Sequence, residues 1–318
     1  MTNLRLARAA AALAAISFGL AVGAAAAAPS ANRAWVSGHG VDQAGCGAPA
    51  SPCRSFQYAH DNIVAGGGEI DVLDPAGYGA ITITKALSIV NDGVGTAGVQ
   101  QGTANQDAIT VQAGANDRVL LRGLTIEGLG VAKDGVTLTS ASVLDIQNCV
   151  VRGFTHNGLN LVGAGSTVHV SDTIVSDYGN SGIYFGPTAS AAAFYERVQA
   201  LGPGYSGFLV DGNLAASNSV IKATVADSVS TGNNIGFFSN GSNDSSVHVT
   251  FMAVNAKAFN NSYGVTAQLA TMIIAQSAIY GNSVWGYGID VGGTIKTFGN
   301  NFIADTTNSG GLTSVQMQ

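Results

Sequence analysis

Charged residues are scarce in this chain of 318 residues. Asp, Glu, Lys and Arg make up 10% of it, and the formal net charge is −6. No cluster of Lys and Arg offers the positive surface that attracts nucleic acid or anionic lipid. Few segments show the 3.6-residue apolar period of an amphipathic helix. These shortages argue against a nucleic-acid partner and against a mostly helical fold.

Long apolar runs are also missing, except at the start of the chain. Arg5 and Arg8 precede an apolar stretch over residues 9–22, and an alanine run over residues 24–28 offers a cleavage site. This order is typical of an export signal, and the stretch is short and alanine-rich for a membrane span. We predict a signal peptide over residues 1–28, no membrane span in the mature chain, and a periplasmic or extracellular location. An uncleaved N-terminal anchor is the alternative.

Cysteine is scarce too, with three residues in the chain. Cys46 and Cys53 lie in a loop rich in Gly, Pro and Ser, and disulfides persist outside the cytoplasm. We therefore predict that these two cysteines are bonded to each other. They do not form a zinc-binding spacing with the nearby histidines, so no metal site is predicted. Cys149 lies in an apolar run and is predicted to be a buried small hydrophobe.

Glycine, by contrast, is abundant, with 43 residues, and it marks a repeat. A polar pair, a glycine and an alternating apolar run return along the chain, with glycines at intervals of 23, 24, 25, 29, 28 and 24 residues. The repeated glycines are Gly135, Gly158, Gly182, Gly207, Gly236, Gly264 and Gly288. A period in the twenties with one short alternating run per repeat is typical of a stacked β-solenoid. We predict an all-β parallel solenoid.

The segment before the repeat differs in pattern. Ser55 and the apolar positions 56, 59, 63 and 64 predict a short amphipathic helix beside the expected disulfide. A solenoid needs a terminal cap, because its first coil otherwise exposes its core and its strand edges. We predict an N-terminal cap over residues 29–65 and the solenoid over residues 66–318.

A second alternating run accompanies the glycine repeat, and its fifth position is polar in most coils. These polar residues are Asn148, Asp172, Glu196, Asp227 and Gln276. Polar groups that recur at one place per coil stack along the solenoid and share hydrogen bonds. We predict a structural ladder there.

The chain resembles the right-handed parallel β-helix superfamily with the pectin-lyase-like fold over about residues 66–303, and in particular its small exported bacterial members. The likeness is carried by the repeat, by a cap with Pro49, Pro52 and Cys53, and by the turn Gly77-Tyr78-Gly79 before the run at residues 80–83. Because this fold hosts lyases, hydrolases, epimerases, adhesins and inert fibres, the resemblance implies the fold and leaves the function open.

The residues just before each repeated glycine are expected to line one edge of one sheet, because the coils stack in register. Those predicted to contact a ligand are Lys133, Asn157, Asn180, Tyr205, Tyr263 and Tyr287. Hydrogen-bonding groups mixed with aromatic faces suit a sugar chain that lies along the solenoid axis. We predict that a polysaccharide or cell-envelope glycan is bound there without turnover. A structural or adhesive surface protein is an alternative, since exposed polar turns need no ligand.

Catalysis through Asp134 and His156 is the other alternative. Asp134-Gly135-Val136 is similar to the acidic residue and glycine of polygalacturonase-like enzymes, although hydrolysis needs two carboxyl groups and this column has one acid. The resemblance to pectate lyases implies calcium as the cofactor if the chain is a lyase, with a basic residue that removes a proton. No other cofactor is identified.

An epimerase is a further form of the catalytic alternative. Tyr287-Gly288-Ile289-Asp290 is similar to the Tyr-Gly-x-Asp of alginate-epimerase-like modules. Those modules continue with Pro-His, where this chain has Val291-Gly292.

Overall fold

A computed structural model describes residues 29–316. The signal peptide predicted for residues 1–28 lies outside these residues. The strands of the described chain form three sheets of parallel strands, and a typical coil contributes one strand to each sheet. The coils follow the right-handed sense of parallel crossovers. The predicted all-β parallel solenoid is confirmed.

The first sheet has twelve strands, which are Ala31–Val36, Val64–Val72, Leu87–Val90, Arg118–Arg122, Val143–Gln147, Thr167–Ser171, Ala191–Glu196, Val220–Ala226, His248–Val254, Thr271–Ala275, Thr294–Thr297 and Thr313–Ser314. The second sheet has ten, which are Ala76–Gly77, Ala97–Gln100, Leu124–Glu127, Val150–Phe154, Ile174–Tyr178, Gln199–Leu201, Val229–Thr231, Lys257–Phe259, Ala278–Tyr280 and Phe302–Ile303. The third sheet has nine, which are Ile81–Ile83, Ile109–Gln112, Val136–Ser140, Leu159–Leu161, Ser181–Phe185, Ser206–Asp211, Ile235–Asn240, Tyr263–Gln268 and Trp285–Ile289.

Inward side chains of the three sheets fill one continuous core. In the third sheet Val136 pairs with Leu159, which pairs with Ile183, and all three side chains are buried. Alternate residues of each strand point away from this core, as the two-residue period of a strand requires. Full burial of one such side chain contributes about 1.5–3 kcal/mol to folding. The core therefore depends on one half of each alternating run.

The repeated glycine lies where the second and third sheets meet. A Cβ atom at Gly158 would lie 2.1 Å from Val175 Cγ1, and one at Gly182 would lie 2.9 Å from the Tyr178 ring. Both contacts are closer than a side chain tolerates, because protein interiors are close-packed. The repeated glycine therefore marks the position in each coil where the backbone turns tightly against the core.

In the last coil the register differs from the predicted one. Tyr263 pairs with Trp285, so the repeated glycine is Gly286, and the step from Gly264 shortens from the predicted 24 residues to 22 (264 to 286). Two glycines flank Tyr287, and the sequence alone favoured the second, Gly288. The choice of Gly288 as the repeated glycine was wrong.

The N-terminal cap contains α1 (Phe56–Asn62), the only helix in residues 29–316. Its N-cap residue Ser55 accepts the Tyr58 N–H at 3.2 Å, which satisfies one free donor of the first turn. The predicted Cys46–Cys53 disulfide is present. Strand Val64–Val72 runs through the expected boundary at residue 65, and the division into cap and solenoid stays a prediction.

The turn from the first to the second sheet holds one residue per coil in the left-handed conformation. The non-glycine residues at this place are Asn148, Asp172, Arg197, Asp227, Asn255 and Gln276, with φ between 48° and 52°. The polar ladder was predicted with Glu196, but Glu196 is the last residue of its strand and Arg197 occupies the turn. Arg197 Nε donates to Asp172 Oδ1 at 2.6 Å, which links successive coils. Asn and Asp suit this conformation because their side chains tolerate it best among non-glycine residues.

Cys149 is buried, as predicted, and burial raises the pKa of its thiol to about 11. Such a thiol stays protonated at neutral pH and is a poor nucleophile. Within residues 29–316 no helix has the length and apolar character to cross a membrane.

Candidate functional site

The outer face of the third sheet carries the predicted site residues. The second residue after each repeated glycine points outward, and the register aligns Thr137, Asn160, Tyr184, Leu209, Phe238, Thr266 and Gly288 in one column. The residues directly before the glycines form a second column, with Asp134, Asn157, Ser181, Ser206, Ile235, Tyr263 and Trp285. We call the part of this face around Asp134 the polar end and the part around Phe238 the aromatic end.

The carboxylate of Asp134 is the centre of the polar end. It is fully buried. Its Oδ1 accepts the Asn157 backbone N–H at 2.7 Å, and His156 Nδ1 lies 2.8 Å from the same oxygen. Its Oδ2 accepts Asn160 Nδ2 at 3.2 Å and lies 3.3 Å from Lys133 Nζ. A buried charge needs such partners, because removal from water is otherwise costly.

Asp134 is also the first member of a hydrogen-bonded ladder. In the next coil Asn157 Oδ1 accepts the Ser181 backbone N–H at 3.1 Å, as Asp134 Oδ1 accepts that of Asn157. Asn157 Oδ1 accepts Asn180 Nδ2 at 3.1 Å as well. A side-chain oxygen that caps a backbone donor of the following coil has a structural role, and it requires no negative charge. The charge of Asp134 goes beyond what the ladder needs.

His156 is held by this carboxylate and stays accessible. Its Nδ1–H donates to Asp134, and its side chain is 44% exposed. Its Nε2 faces Asn180 Nδ2 at 3.4 Å, which matches the acceptor form of that nitrogen. A neutral imidazole oriented in this way can accept a proton from a bound molecule. The structure thus brings together five predicted site residues, which are Lys133, Asp134, His156, Asn157 and Asn180.

Calcium does not fit the surroundings of Asp134. A calcium ion takes 6–8 oxygen ligands, whereas this carboxylate is surrounded by N–H donors and by the ammonium of Lys133. In the described chain Asp42, Cys46 and Cys53 form a second group with metal-binding atoms. The sulfur atoms of Cys46 and Cys53 are bonded to each other as a disulfide, so they are not free to bind a metal. Neither place offers a calcium site.

The polar end continues toward the N-terminal cap as a shallow cavity of about 250 Å³. Its lining includes Gln57 of α1, Thr82 and Thr110 of the first two strands of the third sheet, and Lys133. Lys133 therefore borders both this cavity and the Asp134 cluster.

The aromatic end has the opposite chemistry. Leu209, Ile235 and Phe238 form a buried apolar cluster that is separate from the core, and Tyr184 and Tyr263 pack against it. The Tyr205 ring lies 6.4 Å from that of Phe238 and is 46% exposed. The contact between Tyr263 and Trp285 is edge-to-face, with ring centroids 5.2 Å apart. A cavity of about 270 Å³ is bordered by Tyr205, Phe238, Tyr263 and Trp285.

Tyr287 does not belong to this cavity. It pairs with Val265, an inward residue, and its ring packs against the core. Its prediction as a ligand contact followed from the wrong register of the last coil, and Trp285 occupies the predicted position instead. The signal that could have identified Trp285 is its place directly before Gly286, which matches Tyr263 before Gly264.

Between the two ends a buried carboxylate joins neighbouring coils. Asp211 accepts the Tyr184 hydroxyl at 3.1 Å and Asn240 Nδ2 at 3.0 Å. Burial, with the nearby Asp211 charge, raises the pKa of Tyr184 well above its ordinary value. Tyr184 is therefore a neutral hydrogen-bond donor at any physiological pH.

Solved structures of other proteins share this fold. Pectate lyase Pel9A has a TM-score of 0.53 and 15% identity, over 89% of this chain and 78% of the lyase chain. The enzymatically active domain of bacteriophage CBA120 tailspike protein 2 has a TM-score of 0.50 and 10% identity, over 76% of this chain and 42% of the tailspike chain. No family model and no curated protein matches the sequence. The predicted resemblance is confirmed as a fold: the chain is a pectin-lyase-like right-handed parallel β-helix.

Proposed function

We propose that this protein binds an extended polysaccharide or cell-envelope glycan along the outer face of the third sheet. The observation that carries the proposal is the continuity of this face over nine strands in register. Adjacent strands lie about 4.8 Å apart, so nine strands span about 40 Å. A face of that length, with hydrogen-bonding groups at one end and aromatic rings at the other, suits several consecutive sugar residues.

Composition of the face supports a sugar ligand over a protein or nucleic acid. Amide side chains such as Asn160 and Asn180 offer donors and acceptors that match sugar hydroxyls. Tyr205, Tyr263 and Trp285 present rings that can pack on the apolar faces of sugar rings. The pectate lyase with this fold is named for a polysaccharide substrate, which agrees with the proposal.

The test is a binding screen of the mature chain, residues 29–318, against acidic and neutral polysaccharides. We expect Tyr205→Ala and Tyr263→Ala to weaken glycan binding by about tenfold or more, as the loss of an exposed aromatic contact does. Tyr280→Ala is the matched control, because Tyr280 is an exposed tyrosine on the second sheet. Equal losses in all three variants would contradict the assignment of the face. Absence of binding across the panel would favour a structural or adhesive surface protein.

Proton abstraction is the second candidate function, favoured by the Asp134–His156 pair. His156 Nε2 would take the proton next to a uronate carboxylate. In a lyase the electrons of the broken C–H bond would form a C=C bond and expel the glycosidic oxygen, whereas in an epimerase the same carbon would be reprotonated on its opposite face. Asp134 would hold the imidazole and stabilise its charged form, and the Lys133 ammonium would offset the ligand's negative charge. Hydrolysis is less well supported, since it needs a second carboxyl group near the first.

The lyase form of the catalytic candidate is tested by the absorbance of unsaturated uronate products with polygalacturonate or alginate. We expect turnover to be lost in His156→Ala and in Asp134→Asn, which keeps an oxygen for the ladder. His169→Ala is the control, because His169 forms a similar pair with Asp145 on the first sheet, at 3.0 Å. Turnover that survives both site variants would exclude this pair as the base.

We also propose that the protein is exported. The Cys46–Cys53 disulfide supports an oxidising compartment. Determination of the N-terminal residue of the protein from its native cells tests this, and we expect a start near residue 29. A retained residue 1 would support the uncleaved anchor instead.

A further inference from the structure

The apolar cluster of the aromatic end is not required by the core. Phe208 and Phe237 point inward and belong to the core of these coils. Leu209 and Phe238 lie on the opposite, outward side of the same strands. In earlier coils the same outward column holds Thr137 and Asn160. The solenoid thus forms with polar residues in this column, and the cluster is a local feature of the surface.

The cavity beside this cluster is large enough for one sugar residue. Its volume of about 270 Å³ lies just below the roughly 300 Å³ at which sites for drug-sized ligands begin. Trp285 forms one wall because Gly288 leaves room for it: a Cβ atom on Gly288 would lie 3.0 Å from Trp285 Cε3. Ile235 and Phe238 form the apolar floor.

The polar groups of the cavity select against an acidic sugar. Gln268 and Asp290 lie among the residues that line it, and Lys, Arg and His are missing from that lining. Asp290 is exposed, and its Oδ1 accepts the Val291 N–H at 2.7 Å. A carboxylate beside the cavity repels a uronate and accepts hydrogen bonds from hydroxyl or amide N–H groups.

We infer that this cavity binds a neutral sugar residue that carries a methyl group, such as a 6-deoxyhexose or an N-acetylated hexosamine. The inference rests on the proposed function of the face. The methyl group lies on Ile235 and Phe238, the ring packs against Trp285, and a hydroxyl or amide N–H donates to Asp290. Burial of one methyl group strengthens binding by about fourfold. The polar end, with Lys133 and His156, lies at least three coils away from Ile235 and Phe238 and contacts a more distant part of the same glycan.

The test is calorimetric titration of the mature chain with four oligosaccharide series of equal length: rhamnose, N-acetylglucosamine, glucose and galacturonate. We expect rhamnose or N-acetylglucosamine oligomers to bind at least fourfold more tightly than glucose oligomers, which lack the methyl group. The oligomer of these two that binds more tightly identifies whether the methyl group belongs to a 6-deoxyhexose or to an N-acetylated hexosamine. Equal affinity for all neutral oligomers, or tightest binding of galacturonate, would overturn the inference.

Variants of this cavity assign the effect to it. We expect Trp285→Ala to weaken binding of the preferred oligomer by tenfold or more, and Ile235→Thr to remove the preference for the methyl group. Gly288→Ala is a milder change that displaces the Trp285 ring without removing it. Asp290→Lys is expected to raise galacturonate affinity. Thermal unfolding of each variant checks that it is folded.

The inference and the proposed function fail in different ways. Glycan binding that is lost in Asn180→Ala but unchanged in Trp285→Ala and Gly288→Ala would overturn the sugar cavity and keep the glycan-binding face. Wild-type protein that binds no oligosaccharide or polysaccharide would overturn the proposed function, and the inference with it.

Discussion

The two ends of the third-sheet face differ in how their side chains are stabilised. At the polar end, Asp134 and Asn157 accept backbone donors of the next coil, and each hydrogen bond has a defined partner. At the aromatic end, Leu209, Ile235 and Phe238 bury apolar surface outside the core, and Asn261 supplies the hydrogen bonds at the neighbouring corner. The backbone register is the same at both ends.

This difference shows that the fold leaves the outer face free to vary. The inward residues and the glycines must satisfy the core, whereas outward residues face solvent or a ligand. A polar and an apolar surface can therefore follow each other along one sheet. Functional chemistry is best sought where either column departs from what stacking needs, as the column before the glycines does at the Asp134 charge and the outward column does at Phe238.

The largest expected effect on stability is at the aromatic end. Phe238→Ala removes a buried ring and is expected to lower the free energy of unfolding by about 3 kcal/mol. Tyr205→Ala is the control, since Tyr205 is 46% exposed, and we expect a loss below about 1 kcal/mol. Urea unfolding followed by circular dichroism measures both. Similar losses in the two variants would show that the cluster does not stabilise the fold.

A smaller effect is expected at the polar end. Asp134→Ala leaves the Asn157 N–H without its acceptor, which costs about 1–3 kcal/mol. Asp134→Asn keeps an oxygen at that place, as Asn157 does in the following coil, and we expect it to lose less than half as much. Urea unfolding of the two variants measures the difference. If both lose the same amount, the charge, and not the ladder, stabilises this end.

Mild acid is expected to destabilise the junction of cap and polar end. His60 is buried, its Nε2 accepts the Thr84 N–H at 3.2 Å, and burial is the main cause that lowers its pKa. The unfolded chain binds the proton near pH 6.5 and the folded chain only below that. The contribution of neutral His60 to the free energy of unfolding is therefore complete above about pH 6.5 and falls as the pH drops below that value. We expect a lower Tm at pH 5.5 than at pH 7.5, and a flatter profile in His60→Gln. An unchanged profile in that variant would point to other groups.

The smallest effect is expected on the first sheet. His169 and Arg118 both contact Asp145 there, and both side chains are about half or more exposed. His169→Ala is expected to change the free energy of unfolding by less than about 0.5 kcal/mol and to leave glycan binding unchanged. Thermal unfolding and the binding screen measure this. A loss of binding would place part of the ligand site outside the third sheet.

Much of the fold could be predicted from the sequence because its causes are local. Glycines such as Gly158 and Gly182 are needed in every coil where the second and third sheets meet, because a Cβ atom there would clash with core side chains. Their spacing therefore gives the coil length. The disulfide and the helix in the cap followed from short-range patterns too. The register of the last coil did not, because Gly286 and Gly288 both satisfy the pattern.

The sequence predicted most of the polar half of the candidate site, but only Tyr205 and Tyr263 of its aromatic half. Lys133, Asp134, His156 and Asn157 precede glycines of successive coils, so stacking alone brings them together. Phe238 and Leu209 belong to the alternating runs, and the sequence does not show which apolar residues of a run face outward. The apolar cluster of Leu209, Ile235 and Phe238 was therefore missed.

The solenoid and its usual coil length could be predicted from the amino-acid sequence alone, because both depend on steric and hydrophobic demands repeated in every coil. The folded structure was needed to show that Asp134 is buried beneath four donors and that Leu209, Ile235 and Phe238 cluster outside the core. The reason is physical: most of these contacts join residues more than twenty positions apart, and their geometry depends on the register between coils and on the direction of each side chain.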